Sequence, residues 1–468
     1  MLRPGRVPLV NLQRCACKER CKLAGIGAGI GDNDRMPTHT LEQLRTGQLA
    51  GARRLDLSAG LTRFPREIFE LADSLEVLNL SGNRLSELPD DLGRLRRLRI
   101  IFCSDNDFTH LPECLGDCPA LEMVGFKANR IDVVPAQALP ARLRWLILTD
   151  NRLTQLPVAL GERAALQKLM LAGNRLQALP DSLADARRLE LLRLSANALP
   201  RLPAWLTELP RLSWLALSGN PLGWPCPETP ALPVVPWHHL VVEDRLGGGA
   251  SGDIYRVREA GTGQRSWALK LFKGAVTSDG RPEDEWRASL IAGHHPALVT
   301  PAAQMQGHPD GMQGVLMPLL PAGHVALASP PSFESCTRDV YAPGQLFDGQ
   351  AVRGWLGAMA AALAHLHARS VMHGDFYAHN IHVSPDSGEA VLGDFGAATV
   401  LPTGQAPVAD ALRALEVRAF GCLMDELLQR LAPSDAAWAT RLQPWVEACL
   451  DAVPSRRPSM RELATVLG

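Results

Sequence analysis

No sign of charge dominates this sequence: 48 Lys and Arg stand against 49 Asp and Glu, a formal net charge of −1 over 468 residues. A chain without a global field is not built to hold nucleic acid or an anionic membrane by bulk electrostatics. Lysine is nearly missing, at six residues, so the basic side chains are overwhelmingly arginine, the mark of a GC-rich genome. No uncharged apolar run is fit to span a bilayer: the longest uncharged stretch, residues 311–333, is broken by Pro318, Pro321, Pro330 and Pro331. The basic N-terminus is not followed by an apolar core and a small-residue cleavage site, so no secretory signal is expected. Ten cysteines do not make a disulfide framework at this length. Cys15, Cys17 and Cys21 cluster, but their spacing matches no common zinc pattern and no His lies near them. These absences predict a cytoplasmic protein with reduced thiols, bound to neither nucleic acid nor membrane.

What is present is globular: 46% hydrophobic and 21% charged residues, in a length that predicts two or three domains at about 150 residues each. Residues 1–39 read as a disordered tail. Their Gly-rich GIGAGIG has no preceding strand and no following helix, which a dinucleotide-binding turn requires. Met36, just before an amphipathic stretch at residues 40–49, is an alternative first residue. Residues 40–225 then repeat the unit L-x-x-L-x-L-x-x-N-x-L-x-x-L-P. Seven copies place an Asn in register, at Asn83, Asn106, Asn129, Asn151, Asn174, Asn197 and Asn220, 22 or 23 residues apart. A weaker first copy has Gly60 instead, making about eight repeats.

This ladder resembles the leucine-rich repeat family. Each L-x-L segment is a short strand with its Leu side chains inward, and each Asn satisfies backbone groups of adjoining turns. One unit cannot bury its own Leu face, so the units stack and their strands line a concave surface. Polar residues are expected on that surface if it is idle. Instead it carries Phe102, Met123, Trp145, Ile147, Met170 and Trp214. These are read as anchors for a protein partner or substrate, with packing against the chain's own second domain as the other reading.

The Pro-rich residues 226–237 read as a semi-rigid linker. Past them the pattern turns mixed α/β. LGGGASGDIYRV holds Gly247, Gly249 and Gly252 between two apolar runs, a strand–turn–strand arrangement in which backbone N–H groups can approach phosphates. WALK ends in Lys270, one of the few lysines, at the end of an apolar strand. A helix follows with Glu285, or else Glu283, as the partner of Lys270. VMHGDFYAHNIHV places Asp375 and Asn380 five apart, after an amphipathic helix, and GDFG places Asp394 after a further apolar strand. An Asp at such a position is a natural Mg²⁺ ligand.

In this order and spacing the motifs resemble the protein kinase family over residues 238–468. The resemblance implies a bilobal fold, so the chain as a whole reads as multidomain: an α/β leucine-rich repeat solenoid, then an α+β kinase-like domain. It also implies ATP and Mg²⁺ as cofactors. Lys270 then holds phosphates and pairs with Glu285, Asp375 orients and deprotonates the attacking hydroxyl, and Asn380 and Asp394 bind the metal. Met317 resembles the gatekeeper, with Leu319 and Leu320 in the adenine-contacting hinge. CLDAVPSRRPSMREL resembles the family's closing segment, with Arg457 as its arginine.

The family pattern also breaks. The usual Arg before the catalytic Asp is Gly374, which argues against control by loop phosphorylation. Tyr377 and His379 match neither the Ser/Thr nor the Tyr subclass well. LEVRAFG resembles the family's buried helix, with Glu416 in place of its Asp. Only 19 residues separate Gly396 from Glu416, and no A-P-E motif is present. Arg457 thereby loses its usual Glu, with Glu416 and Glu426 as substitutes. The reading is a Ser/Thr-directed protein kinase whose repeats recruit a substrate or regulator. A small-molecule kinase, which HGDFYAHN also resembles, and a pseudokinase scaffold are the alternatives.

Overall fold

A computed structural model describes residues 39–248, 252–260, 266–273, 276–277, 279–331, 338–385 and 387–468. Residues 1–38 of the expected tail, with its Cys cluster and Met36, and Gly249 lie outside the described residues. Thr40 opens the described fold by capping the short helix α1 (Leu41–Arg45) through a reciprocal capping box with Gln43.

Eight three-residue strands follow, one per repeat: β1 (Arg54–Asp56), β2 (Val77–Asn79), β3 (Ile100–Phe102), β4 (Met123–Gly125), β5 (Trp145–Ile147), β6 (Lys168–Met170), β7 (Leu191–Arg193) and β8 (Trp214–Ala216). They pair in parallel, in chain order. The central residue of each strand points into the Leu core and its two neighbours face the concave side, as the period-2 alternation of a strand demands. The Asn ladder does what its register implies. Asn83 Oδ1 accepts from the backbone N–H of Ala59 and Leu61, both at 3.0 Å, and its Nδ2 donates to the carbonyls of Leu57 and Leu80. The residue before each Asn takes a left-handed conformation, as Gly at 82, 173 and 219 but as Asp105, Ala128, Asp150 and Ala196 elsewhere.

Beyond the repeats, β9 (Val234–Pro236) lies inside the stretch expected to be linker. It pairs in parallel with β13 (Ala303–Gln306) and so belongs to the next sheet. That sheet runs β10 (Leu240–Gly248), β11 (Gly252–Glu259), β12 (Ser266–Phe272), β14 (Gly314–Met317), β13, β9, and helix α2 (Pro282–Ala292) follows β12 in the chain. A helical lobe completes the chain. It holds β15 (Val325–Ala326), α3 (Gly349–Ala368), β16 (Val371–Met372), β17 (Ile381–Val383), β18 (Ala390–Leu392), β19 (Thr399–Val400), α4 (Ala406–Leu428), α5 (Ala436–Cys449) and α6 (Met460–Leu467). The buried helix expected around Glu416 therefore begins earlier, at Ala406. Among the described residues no helix is long and apolar enough to cross a membrane.

The two halves share their interiors. Met372, Leu401, Ala409, Leu412 and Leu415 of the helical lobe are buried in the same cluster as Leu206, Leu212, Leu215 and Leu217 of the last repeats. Helix α4 thus caps the open end of the solenoid, which a repeat array needs and here receives from its neighbour. On the concave side, Trp145, Met170 and Trp214 are 3%, 5% and 1% exposed and belong to the apolar cluster of the helical lobe. Phe102 and Ile147 are half-buried against that cluster. Of the two sequence readings of this face, the structure has the chain's own second domain against it, so Trp145, Met170 and Trp214 do not present a free surface to a partner.

Candidate active site

Antiparallel β10 and β11 flank the glycine-rich segment, and β12 runs alongside β11. Gly252 is needed for close packing: a Cβ there would collide with the carbonyl of Leu271. Lys270, near the end of β12, is 7% exposed and donates to Glu285 Oε1. Glu283 is exposed on the same helix, so the choice between the two carboxylates falls on Glu285. Asp394 Oδ1 lies 4.0 Å from Lys270 Nζ. Burial works against the Lys270 charge, but Glu285 and Asp394 outweigh it and hold the ammonium above its ordinary range. Met317 sits opposite Ala268 on β14, and Leu319 and Leu320 follow it, half-buried and exposed.

The second half of the site is the loop between β16 and β17. Asn380 Nδ2 donates to Asp375 twice, to Oδ2 and to the backbone carbonyl, both at 2.9 Å. This turns the amide nitrogen toward Asp375 and leaves the amide oxygen for a cation. Asp394 stands in a left-handed conformation (φ 52°) with 53% of its side chain exposed. An amide oxygen and an exposed carboxylate form a sparse, hard-oxygen set, the kind Mg²⁺ shares with substrate phosphates. Among the described residues no group of three or more His, Cys, Asp or Glu could hold a metal alone. The loop is pinned by Asp339, whose carboxylate accepts from the N–H of Ala378 and of His379 and pairs with His379 Nδ1 at 2.7 Å. Glu416, fully buried, accepts from the Gly374 N–H at 2.8 Å and meets His367 at 2.8 Å. Neither Glu416 nor Glu426 pairs with Arg457. Glu426 holds Arg338 at 2.8 Å, and Arg457 donates to the carbonyls of Asp451, Ala414 and Pro210.

The repeats enter this site. Arg193, the last residue of β7, donates to the carbonyl of Gly374 at 2.8 Å and to Asp375 Oδ1, and its Nε lies 2.9 Å from Asp279. Burial alone would raise the Asp375 carboxyl, but Arg193, with His379 and His373, holds it below its ordinary range. Trp214 Nε1 donates to the Phe376 carbonyl at 2.9 Å, and its ring stacks on Tyr377 at 4.2 Å. Tyr377 stands where Ser/Thr kinases carry Lys, and its side chain serves this packing. The segment after DFG is held by the last repeat, Ser218 Oγ donating to Ala398 and Leu217 N–H to Thr399 Oγ1. Sequence reasoning missed Arg193, Asp279 and Asp339. The vacancy left by Gly374 was a signal for an arginine from elsewhere, but it named no donor.

Comparison with known proteins agrees with both halves. The Protein kinase domain profile matches residues 240–417, and Leucine rich repeat profiles match 74–95, 141–199 and 164–222. The chain therefore joins leucine-rich repeats to a protein kinase domain. It is 34% identical over 122 residues to the Probable inactive serine/threonine-protein kinase roco10 of Dictyostelium discoideum, covering 25% of this chain and 5% of that protein. It is 41% identical over 58 residues to human Serine/threonine-protein kinase Nek5, covering 12% and 8%. It is 30% identical over 126 residues to mouse Leucine-rich repeat and calponin homology domain-containing protein 1, covering 26% and 18%. The chain thus spans less than a fifth of the length of these relatives.

Proposed function

We propose that this chain is an ATP- and Mg²⁺-dependent protein kinase that transfers the γ-phosphoryl group to Ser or Thr hydroxyls. One observation carries the reading: both halves of the polar set are assembled, with Lys270 bonded to Glu285 beside Asp394, and Asp375 bonded to Asn380. Phosphoryl transfer asks for little else beyond phosphate positioning, charge neutralisation and a base at the nucleophile. In this reading Gly247, Gly252 and Lys270 cradle the phosphates, with Met317, Leu319 and Leu320 against the adenine. Asn380 and Asp394 hold the metal, which neutralises phosphate charge when bound. Asp375 takes the proton of the acceptor hydroxyl. Recruitment of a protein partner falls to the repeat surface outside the intramolecular contact. A cytoplasmic setting suits the free thiols, Cys103, Cys114, Cys118, Cys226, Cys422 and Cys449 among the described residues.

Label transfer from γ-labelled ATP with Mg²⁺ tests this, with protein and small-molecule products separated. Asp375→Asn is expected to lower turnover by at least about 100-fold with nucleotide affinity nearly unchanged, and Lys270→Met to weaken both. Full activity in Asp375→Asn would refute the assignment. A small-molecule acceptor is the second reading. It is favoured by the short segment between Gly396 and α4, which the last repeat holds and which leaves little to dock a peptide.

A further inference from the structure

We propose that Arg193 is a positioning residue for the catalytic loop: the repeat domain supplies the guanidinium that the loop's own sequence lacks. The proposal rests on the reading of Asp375 as the base, and it begins from why position 374 is glycine. Gly374 has φ +73°, and a Cβ there would lie 2.6 Å from both the Leu215 and the Ala397 carbonyl oxygens. The backbone of β8 and that of Ala397, just after DFG, together occupy the space a side chain at 374 would need. No arginine can stand in the loop at this point while the repeats are docked.

Arg193 fills the electrostatic vacancy from the adjoining strand. Its side chain is only 2% exposed, so its charge must be compensated locally. Two hydrogen-bond acceptors in the catalytic loop, the Gly374 carbonyl and Asp375 Oδ1, do so together with an ion pair to Asp279 in the segment leading to α2. One planar, five-donor group thereby fixes the orientation of Asp375 and ties it to the lobe that carries Lys270 and Glu285. Trp214 holds the next two residues through the Phe376 carbonyl and the Tyr377 ring.

A removable plug is the opposite reading of the same contacts, and two observations stand against it. The Asp375 side chain remains 17% exposed, and each carboxylate oxygen has a second lone pair, so an acceptor hydroxyl can still reach it. Removing the repeats would also tear the shared core of Leu215 and Leu217 with Met372, Leu401, Leu412 and Leu415.

The test compares the full-length protein with Arg193→Ala and Arg193→Lys in labelled ATP turnover. Arg193→Ala is expected to lower kcat about 100-fold, the cost of misplacing a catalytic group by about 1 Å, with the KM for ATP within about twofold. Arg193→Lys should recover part of that loss. Millimolar guanidinium should restore Arg193→Ala in a saturable way, which a merely destabilised fold would not show. Turnover in Arg193→Ala equal to or above wild type would overturn the proposal and make the contact inhibitory. Absence of turnover in the wild type would instead overturn the proposed function. Positioning is then read from amide hydrogen exchange at residues 374–380, expected to quicken in Arg193→Ala. Unchanged exchange there would overturn the positioning role as well.

Discussion

Gly374 shows how one residue records a contact made by another domain. With a positive φ and two carbonyls crowding its missing Cβ, it cannot be exchanged for the arginine usual at this place in the protein kinase pattern. Gly374→Arg is therefore expected to destabilise the protein and to abolish, not enhance, turnover; thermal unfolding and label transfer measure the two effects. Trp214→Ala should cost about 3–5 kcal/mol in denaturant titration, since the whole indole is buried and its N–H loses the Phe376 carbonyl. At this scale the sequence was legible wherever a motif is local. Lys270, Asp375, Asn380 and Asp394 could be singled out as candidates from local motifs in order along the chain. Arg193 did not, because its partners lie far from it in sequence and nothing in a Leu ladder marks one concave arginine above another.

Elements were legible by periodicity, and their boundaries were set by packing. The eight strands follow from the Leu–Asn register. The strand Val234–Pro236 was hidden among prolines, since it is an edge strand, the one place in a sheet where proline is tolerated. The left-handed turn before each Asn offers a check. Ala128 stands at φ 52° where other repeats have Gly. Ala128→Gly should raise stability by up to about 1 kcal/mol, seen as a higher melting temperature. Helix α2 meets the last repeat through Asp284, whose Oδ2 is buried without a hydrogen-bond partner among the described residues. Burial raises its carboxyl above the ordinary range. The folded state then binds this proton more tightly than the unfolded chain, so stability falls as pH rises from the unfolded value through the folded one. Asp284→Asn should stabilise the protein at neutral pH, with the gain shrinking toward pH 4 in paired melting curves.

The whole molecule was legible as two domains in order, but not as one folding unit. Alternation showed that the concave face is apolar, and an apolar face does not say what covers it. Here the cover is the chain itself, and helix α4 also closes the solenoid. Unfolding of the intact chain should accordingly be a single transition, coincident by near- and far-ultraviolet dichroism, and residues 238–468 expressed alone should be insoluble or bind a hydrophobic dye. A cap placed so late in the sequence also has a consequence during synthesis. The eight repeats leave the ribosome before residues 406–428 exist. At common elongation rates their open end waits about 10–40 s for its cover. Until then the nascent solenoid has an uncovered apolar end, and its completion is timed by translation of the domain that caps it.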